Sequence, residues 1–363
     1  MPIFLILILF SFVYLFFKIR NAFSGKFRNI LSGSILIFFL VSIFCRNVYG
    51  FHFFSYFFFV WFLFTLFFFV FADIIKIPFL FFKTKKWVLS AKYTARILIS
   101  FSFLITGSFF IYGTSHNNNY EKREATISVS KNAKPFSAIF FSDIHLDYSF
   151  QKEKLERFIK DLKEIKPDYI LFGGDLADIS VEQLTELGFD SLMQEIGKQA
   201  KIKAYAIKGN HEIYMEKSGS NSMEWLSENG FEILNDSTVC DSILCVTGRV
   251  DLNAEKITKT ERKLLSELLP ENDSLPWILL DHQPKGVQEI LKQKPTIALS
   301  GHTHNGQFFP VTIFIHWIWN LAYGFGNLNE IPWLVSSGFD CWGPKIRVHS
   351  DSEFWILHFK NKE

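Results

Sequence analysis

Five short segments of this sequence carry side chains of the types that can bind metal ions, and most of the segments directly follow an apolar run. The segments are Asp143-Ile144-His145, Gly174-Asp175, Gly209-Asn210-His211-Glu212, His282 and Gly301-His302-Thr303-His304-Asn305-Gly306-Gln307. Half of the ten histidines lie in these segments. Carboxylate, amide and imidazole ligands without a thiolate suit manganese, iron or zinc better than calcium. The set therefore predicts a site for two divalent metal ions.

The elements that must position these segments alternate between strand and helix. Three apolar strand candidates, residues 136–141, 169–172 and 203–207, end just before the first three segments. Between the first two, apolar residues from Leu155 to Ile165 recur at helical spacing. Further expected elements are helices over 181–199 and 259–269, a hairpin over 238–246, and strands over 277–280, 333–336 and 353–359. This order predicts an α/β domain with its chemistry at the carboxyl ends of the strands.

The ordered segments DxH, GGD, GNHE, a single His and GHTH resemble the calcineurin-like metallophosphoesterase family, from residue 136 to residue 363. The GHTHNGQ segment, the outlying Ser337-Gly338 pair and the apolar spans upstream are similar to a membrane-associated bacterial branch that usually reads GHTHGGQ. The resemblance implies a four-layer α/β sandwich that hydrolyses a phosphoester by a metal-bridging hydroxide.

The same resemblance implies eight site residues. The metal ligands would be Asp143, His145 and His304 for the first ion, Asn210, His282 and His302 for the second, and Asp175 as the bridge. His211 would protonate the leaving oxygen or stabilise charge in the transition state.

Three neighbouring residues receive other interpretations. Asn305 replaces a glycine that is common in the family, which removes no ligand. Asp178 stands where purple acid phosphatases carry a tyrosine on iron, so a tyrosinate-iron centre is not expected. We predict that Asp178 belongs to the start of the next helix, and that Glu212 supports the site or lies at the surface.

The first third of the chain has a different composition. Roughly two-thirds of the 44 phenylalanines precede residue 113. Four apolar stretches, 2–17, 31–45, 51–72 and 97–113, predict about four transmembrane helices in residues 1–113, with a turn at 46–50. Polar residues 114–135 then read as a linker, and residues 136–363 as the catalytic domain.

The basic residues between these stretches predict the orientation. Four basic residues lie in the loop between the first two stretches, and six, including Lys83, Lys85 and Lys86, lie in the loop between the third and fourth. The loop between the second and third stretches has only Arg46. Since basic loops stay in the cytoplasm, we expect a multi-pass membrane protein with an extracytoplasmic catalytic domain.

Four cysteines provide little information on compartment. Cys45, Cys240, Cys245 and Cys341 form no CxxC pair. A two-residue turn at Asp241-Ser242 would place Cys240 opposite Ile243, so we predict no bridge between Cys240 and Cys245.

Residues 308–325 form a second apolar stretch, directly after the GHTH segment. We slightly favour a buried helix that packs on the domain. The alternative is an aromatic-rich lip that dips into a membrane beside the metals.

These features predict a membrane-anchored phosphohydrolase that acts on a phospholipid or a lipid-linked phosphate. Alternatives are a lipid A precursor hydrolase resembling UDP-2,3-diacylglucosamine pyrophosphatase, which would be cytoplasmic, and a non-catalytic membrane signalling protein. The net charge of +2, without basic clusters around the motifs, argues against a nucleic-acid partner.

Overall fold

A computed structural model describes residues 2–44, 52–81, 91–328 and 331–361. It divides into two compact units, Met1–Tyr112 and Gly113–Glu363. Cys45, the predicted turn at 46–50 and the basic residues Lys83, Lys85 and Lys86 lie outside the described residues.

The first unit consists of helices around an aromatic core. The helices are α1 (Pro2–Arg20), α2 (Arg28–Phe44), α3 (His52–Phe81) and α4 (Ala91–Asn118), the last of which continues into the second unit. Within the described residues, only Phe53–Lys76 and Lys92–Asn118 are long and apolar enough to cross a membrane, and Arg28–Val41 is shorter. The prediction of about four transmembrane helices is therefore wrong for the part of the chain described, because a span needs about 20 apolar residues.

The second unit contains two six-stranded mixed sheets. In spatial order, the first sheet has strands β1 (Tyr120–Val129), β12 (Ser352–Asn361), β2 (Phe136–Phe141), β3 (Tyr169–Phe172), β4 (Lys203–Ala206) and β5 (Glu232–Ile233). The second has β10 (Gly324–Leu328), β11 (Ile331–Val335), β9 (Ile297–Ser300), β8 (Trp277–Leu280), β7 (Cys245–Gly248) and β6 (Ser237–Cys240). Strands β2 to β5 are parallel, as are β7, β8, β9 and β11.

Helices connect these strands. They are α5 (Lys152–Ile165), α6 (Val181–Glu186), α7 (Phe189–Gly197), α8 (Asn210–Lys217), α9 (Ser222–Glu228), α10 (Ala254–Ile257), α11 (Val287–Gln293) and α12 (Val311–Ile318), with 3-10 turns at Leu265–Glu267 and His304–Gly306. The helix predicted over 181–199 is two helices, because Gly188 adopts a left-handed conformation with φ 71°. Most of the helix predicted over 259–269 is irregular apart from one 3-10 turn.

Alternating side chains of each strand face two different cores. In β2, Ala138 and Phe140 pack between the two sheets, whereas Ile139 and Phe141 pack under α5. In β8, Ile278 lies between the sheets and its neighbours Trp277 and Leu279 face a third core beside α11. The packing follows the period of two along a strand and yields the layer order helix, sheet, sheet, helix that the resemblance implied.

The segment predicted as a linker is part of the folded unit. Strand β1 runs parallel to β12, and Ile127 and Val129 are buried. We read residues 114–135 as a linker from their polar composition, but alternate residues of this edge strand face the core while the others face solvent, which dilutes the apolar signal.

The β6–β7 hairpin contains a disulfide between Cys240 and Cys245. The two residues are directly paired, with their Cα atoms 4.1 Å apart. Our prediction of no bridge was wrong because four residues, not two, form the turn: Asp241 accepts hydrogen bonds from the backbone amides of Ile243 and Leu244.

Candidate metal centre

The predicted site residues follow strands of both sheets. Asp143 and Asp175 lie just beyond β2 and β3, and their loops are joined by a hydrogen bond from the Asp143 amide to the Gly174 carbonyl (2.8 Å). Five of the predicted ligands have left-handed backbone: Asp143 (φ 54°), His145 (47°), Asp175 (58°), His302 (71°) and His304 (50°). Such conformations are costly for residues with a Cβ atom and concentrate at functional sites.

One group of ligand atoms is formed by Asp143, His145 and His304. One ligand atom from each lies within 4.8 Å of the others. The Nε2 atoms of His145 and His304 are 3.2 Å apart, and His304 Nε2 is 3.5 Å from Asp143 Oδ1. Two imidazole nitrogens aimed at each other beside a carboxylate fit a divalent cation.

A second group is formed by Asp175, His282 and His302, again with ligand atoms within 4.8 Å of one another. His282 Nδ1 donates to the Gly173 carbonyl (2.8 Å), which directs Nε2 toward the site. The buried atoms His282 Nε2 and Asn210 Oδ1 have no hydrogen-bond partner of normal geometry among the described residues, and the Asp175 carboxylate lies 3.2 Å from His282 Nε2. Buried polar atoms without partners are rare, and these two fit a second cation.

Asp175 contacts both groups. Its Oδ2 atom is 3.7 Å from His145 Nε2 and 3.2 Å from His282 Nε2, and its Oδ1 atom accepts a hydrogen bond from the backbone amide of His211 (2.9 Å). No side chain larger than hydrogen fits at Gly209, where a Cβ atom would overlap Asp175 Oδ1. A carboxylate in this position can share its oxygens between two ions.

His211 stands at the start of α8 with its ring 4.6 Å from the His145 ring. Its Nδ1 atom is 2.5 Å from Asp178 Oδ1, which is also 3.2 Å from His145 Nδ1. Burial lowers the pKa of His211, but Asp175 and Asp178 outweigh it and raise the pKa to about 9. Bound cations would oppose this shift. The hydrogen bond to Asp178 leaves Nε2 as the free nitrogen of the ring.

The role predicted for Asp178 was wrong. Ser180, not Asp178, caps α6 through a hydrogen bond from the Gln183 amide. Asp178 instead contacts two histidines of the site, and these histidines lower its pKa against the effect of burial. A histidine that donates a proton is commonly oriented by a carboxylate partner. From the sequence, this rule predicts a carboxylate beside His211 without locating it.

Two histidines of the GHTH segment are kept neutral. Burial and the charge of His282 lower the pKa of His302 to about 3. Burial and His145 hold the pKa of His304 well below its usual range. Neutral imidazole is the form that binds metals, so both rings are ready ligands at neutral pH.

Glu212 and Arg347 hold the ligand loops in place. The buried Glu212 carboxylate accepts hydrogen bonds from the backbone amides of Asp175 (2.9 Å), Leu176 (2.8 Å) and Gly209 (2.7 Å). Arg347, fully buried, donates to several carbonyls, including those of Ser337 (2.6 Å) and His304 (3.2 Å). The supporting role expected for Glu212 agrees with its contacts, whereas no sequence pattern pointed to Arg347.

Two tryptophan rings lie near histidines of the candidate site. The Trp319 ring lies 5.5 Å from the His302 ring, and the Trp342 ring lies 6.0 Å from the His211 ring. Trp342 is 51% exposed. Sequence reasoning missed Trp342 because no motif surrounds it.

Helix α12 is exposed, which contradicts the slightly favoured prediction of a buried helix. Trp317 and Ile318 are 78% and 70% exposed, and Thr312 is its one buried residue. Both ends of the stretch are nevertheless fixed: Thr312 Oγ1 is 2.9 Å from His349 Nδ1, and Tyr323 donates to Glu353 (2.9 Å). An apolar face is therefore held toward solvent.

Comparison with known proteins agrees with this geometry. A model of the calcineurin-like phosphoesterase family matches residues 136–306. The chain is 27% identical over 273 residues to an uncharacterized metallophosphoesterase of Campylobacter jejuni (74% of this chain, 71% of that protein). It is 28% identical over 244 residues to one of Helicobacter pylori (66% and 64%). Together with the two ligand groups, these matches show that residues 136–306 form a calcineurin-like phosphoesterase domain.

A vertebrate relative has a similar domain. The chain is 30% identical over 238 residues to a transmembrane protein with metallophosphoesterase domain from Danio rerio. The aligned residues cover 61% of this chain and 52% of that protein. The chain thus spans about half of that relative. Among solved structures, GAP50, the anchor in the inner membrane complex of Plasmodium, aligns with 61% of this chain and 80% of its own, at 10% identity and a TM-score of 0.35.

Proposed function

We propose that this protein is a dimetal phosphohydrolase. The observation that carries the proposal is the position of Asp175 between Asp143, His145 and His304 on one side and His282 and His302 on the other. We propose Asn210, whose buried Oδ1 atom has no partner among the described residues, as a further ligand of the second ion. When bound, two divalent cations, with manganese, iron or zinc favoured, would polarise the phosphoryl group and supply an activated water.

The chain's own residues would orient the ester and move a proton. His211 is held by Asp178 with its Nε2 atom free, so it can donate a proton to the leaving oxygen or stabilise charge on the phosphoryl oxygens. Asp178 would act through His211 and His145, because it accepts from both rings and therefore fixes their orientation.

We further propose that the substrate is a phospholipid or a lipid-linked phosphate. The exposed face of α12 supports this substrate class, since its apolar side chains continue from Trp319 beside His302. Exposed aromatic and aliphatic side chains on a helix are typical of surfaces that enter the interfacial region of a bilayer. The two apolar helices and the transmembrane relative support a membrane location.

Substitution of Trp317 by serine tests the lipid hypothesis. We expect the ratio of phospholipid hydrolysis in mixed vesicles to hydrolysis of bis-p-nitrophenyl phosphate to fall at least about fivefold, because an exposed tryptophan contributes apolar contact with lipid. Trp319 is unsuitable for this test since it contacts His302. Leu264→Ser, which removes another apolar side chain that is 63% exposed, is the matched control. An unchanged ratio for Trp317→Ser would refute the lipid role of α12.

We propose that this protein crosses the membrane more than once and that its catalytic domain faces outward. The distribution of basic residues favours this orientation, and the Cys240–Cys245 disulfide is independent support because such bonds persist in oxidising compartments. A cysteine introduced at the exposed Lys198 should react with a membrane-impermeant maleimide in intact cells. Reaction only after permeabilisation would place the domain in the cytoplasm and favour the lipid A precursor hydrolase alternative.

A further inference from the structure

The edge of the second ligand group carries a lysine above a tryptophan. Lys285 lies three residues after His282, in the loop between β8 and α11. Its Nζ atom is 4.9 Å from the centre of the Trp319 ring, which in turn lies 5.5 Å from the His302 ring at an angle of 77°. The ammonium group is therefore at most about 10 Å from the ring of a predicted ligand.

The backbone around this lysine is fixed. The Lys285 amide donates to the Gln283 carbonyl (2.7 Å), and the buried Gln283 side chain donates to both carboxylate oxygens of Asp251 (3.0 and 2.9 Å). Trp319 caps the last turn of α12 through a hydrogen bond to the Ile315 carbonyl (3.3 Å). The backbones of both Lys285 and Trp319 are therefore held by hydrogen bonds.

Lys285 forms no ion pair with a carboxylate of the described residues, unlike two other lysines near the ligand loops. Lys345 and Lys208, the other lysines near the ligand loops, pair with Asp147 (3.8 Å) and Glu216 respectively. Lys285 makes no ion pair within 4.0 Å among the residues that the structure describes. An unpaired cation beside a site for anionic substrates attracts negative charge and gives specificity.

We propose that Lys285 and Trp319 form a subsite for a second anionic group of the substrate. The group would be a carboxylate or phosphoryl oxygen cluster a few bonds from the phosphate that is hydrolysed. Lys285 would contact the negative charge, and the partly exposed Trp319 ring would contact the carbon atoms that connect the two groups. This inference rests on the proposed function, because it places the scissile phosphate between the ligand groups.

A pair of non-hydrolysable phosphonates tests the subsite. Phosphonoacetate carries a carboxylate where ethylphosphonate carries a methyl group. The dissociation constants of both compounds for the manganese-loaded protein can be measured by isothermal titration calorimetry. We expect Lys285→Gln to raise the dissociation constant of phosphonoacetate about fivefold, a modest factor because the lysine is exposed to solvent. The dissociation constant of ethylphosphonate should rise less than about twofold. Lys285→Arg should retain the preference.

Lys292→Gln is the matched control, because it removes an exposed lysine from α11 close by. It should change neither dissociation constant. Equal weakening of both phosphonates by Lys285→Gln would show a general field effect, and no change would show a solvated surface lysine; either result overturns the proposal. Because binding is measured, a protein that binds the phosphonates without hydrolysing any phosphoester would contradict the proposed function and still decide the role of Lys285.

Discussion

Asp175→Asn is expected to lower kcat for bis-p-nitrophenyl phosphate at least about a thousandfold. Asp175 lies between the two ligand groups, and its Oδ2 atom is within 3.7 Å of a histidine from each. An amide has the same shape but lacks the negative charge and offers only one oxygen. One ion therefore loses a ligand, and the attraction for both ions falls. The manganese content of the purified variant should fall with the activity.

The control for this substitution is Asp161→Asn. It makes the same chemical change in a carboxylate of α5 that pairs with Lys122 of β1 and is not a predicted ligand. It should retain wild-type activity and metal content. An Asp175→Asn variant with normal metal content and normal turnover would exclude Asp175 as the bridge.

His211→Gln is expected to lower kcat about a hundredfold for an alkyl phosphoester while the metal content stays normal. The imidazole is held by Asp178 through Nδ1, and it is the one predicted site residue that we do not assign to a metal. A donor of this kind matters most when the leaving oxygen is strongly basic. Loss of activity should therefore be smaller for p-nitrophenyl esters, whose leaving group needs no proton.

Comparison of the two leaving groups separates chemistry from structure. Asp178→Asn should reproduce part of the effect with the same dependence on leaving group, because it leaves the His211 ring present but less firmly oriented. If His211→Gln slows both esters by the same factor, His211 stabilises charge on the phosphoryl oxygens and is not the proton donor. If it also removes manganese, His211 is a metal ligand.

The positions of the candidate ligands could be predicted because these residues follow a local rule. Strand ends such as Phe141 and Phe172 are marked by buried apolar runs, and the polar residues immediately beyond them meet at one edge of a parallel sheet. Strands β2, β3 and β8 were therefore placed with their observed bounds. The residues around the ligands depend on tertiary contacts instead: Arg347 reaches the GHTH segment from a distant loop, and only the fold reveals it.

The wrong predictions concern segments whose structure depends on what they pair with or pack against, which composition does not show. Strand β1 looked like a linker because its polar face dominates its sequence, and its pairing partner β12 is more than 200 residues away. Helix α12 looked like core because apolar residues are usually buried, yet its apolar face lies in solvent. The disulfide was missed because the length of the turn between Cys240 and Cys245 decides which residues are opposite each other.

The central claim is that this chain hydrolyses a phosphoester with two metal ions. The most direct test is the rate of bis-p-nitrophenyl phosphate hydrolysis by the chelator-treated full-length protein as manganese is added back in known equivalents. We expect negligible hydrolysis without manganese and a rate that reaches its maximum at two equivalents per chain. A rate that is independent of manganese, or complete at one equivalent, would contradict the dimetal mechanism.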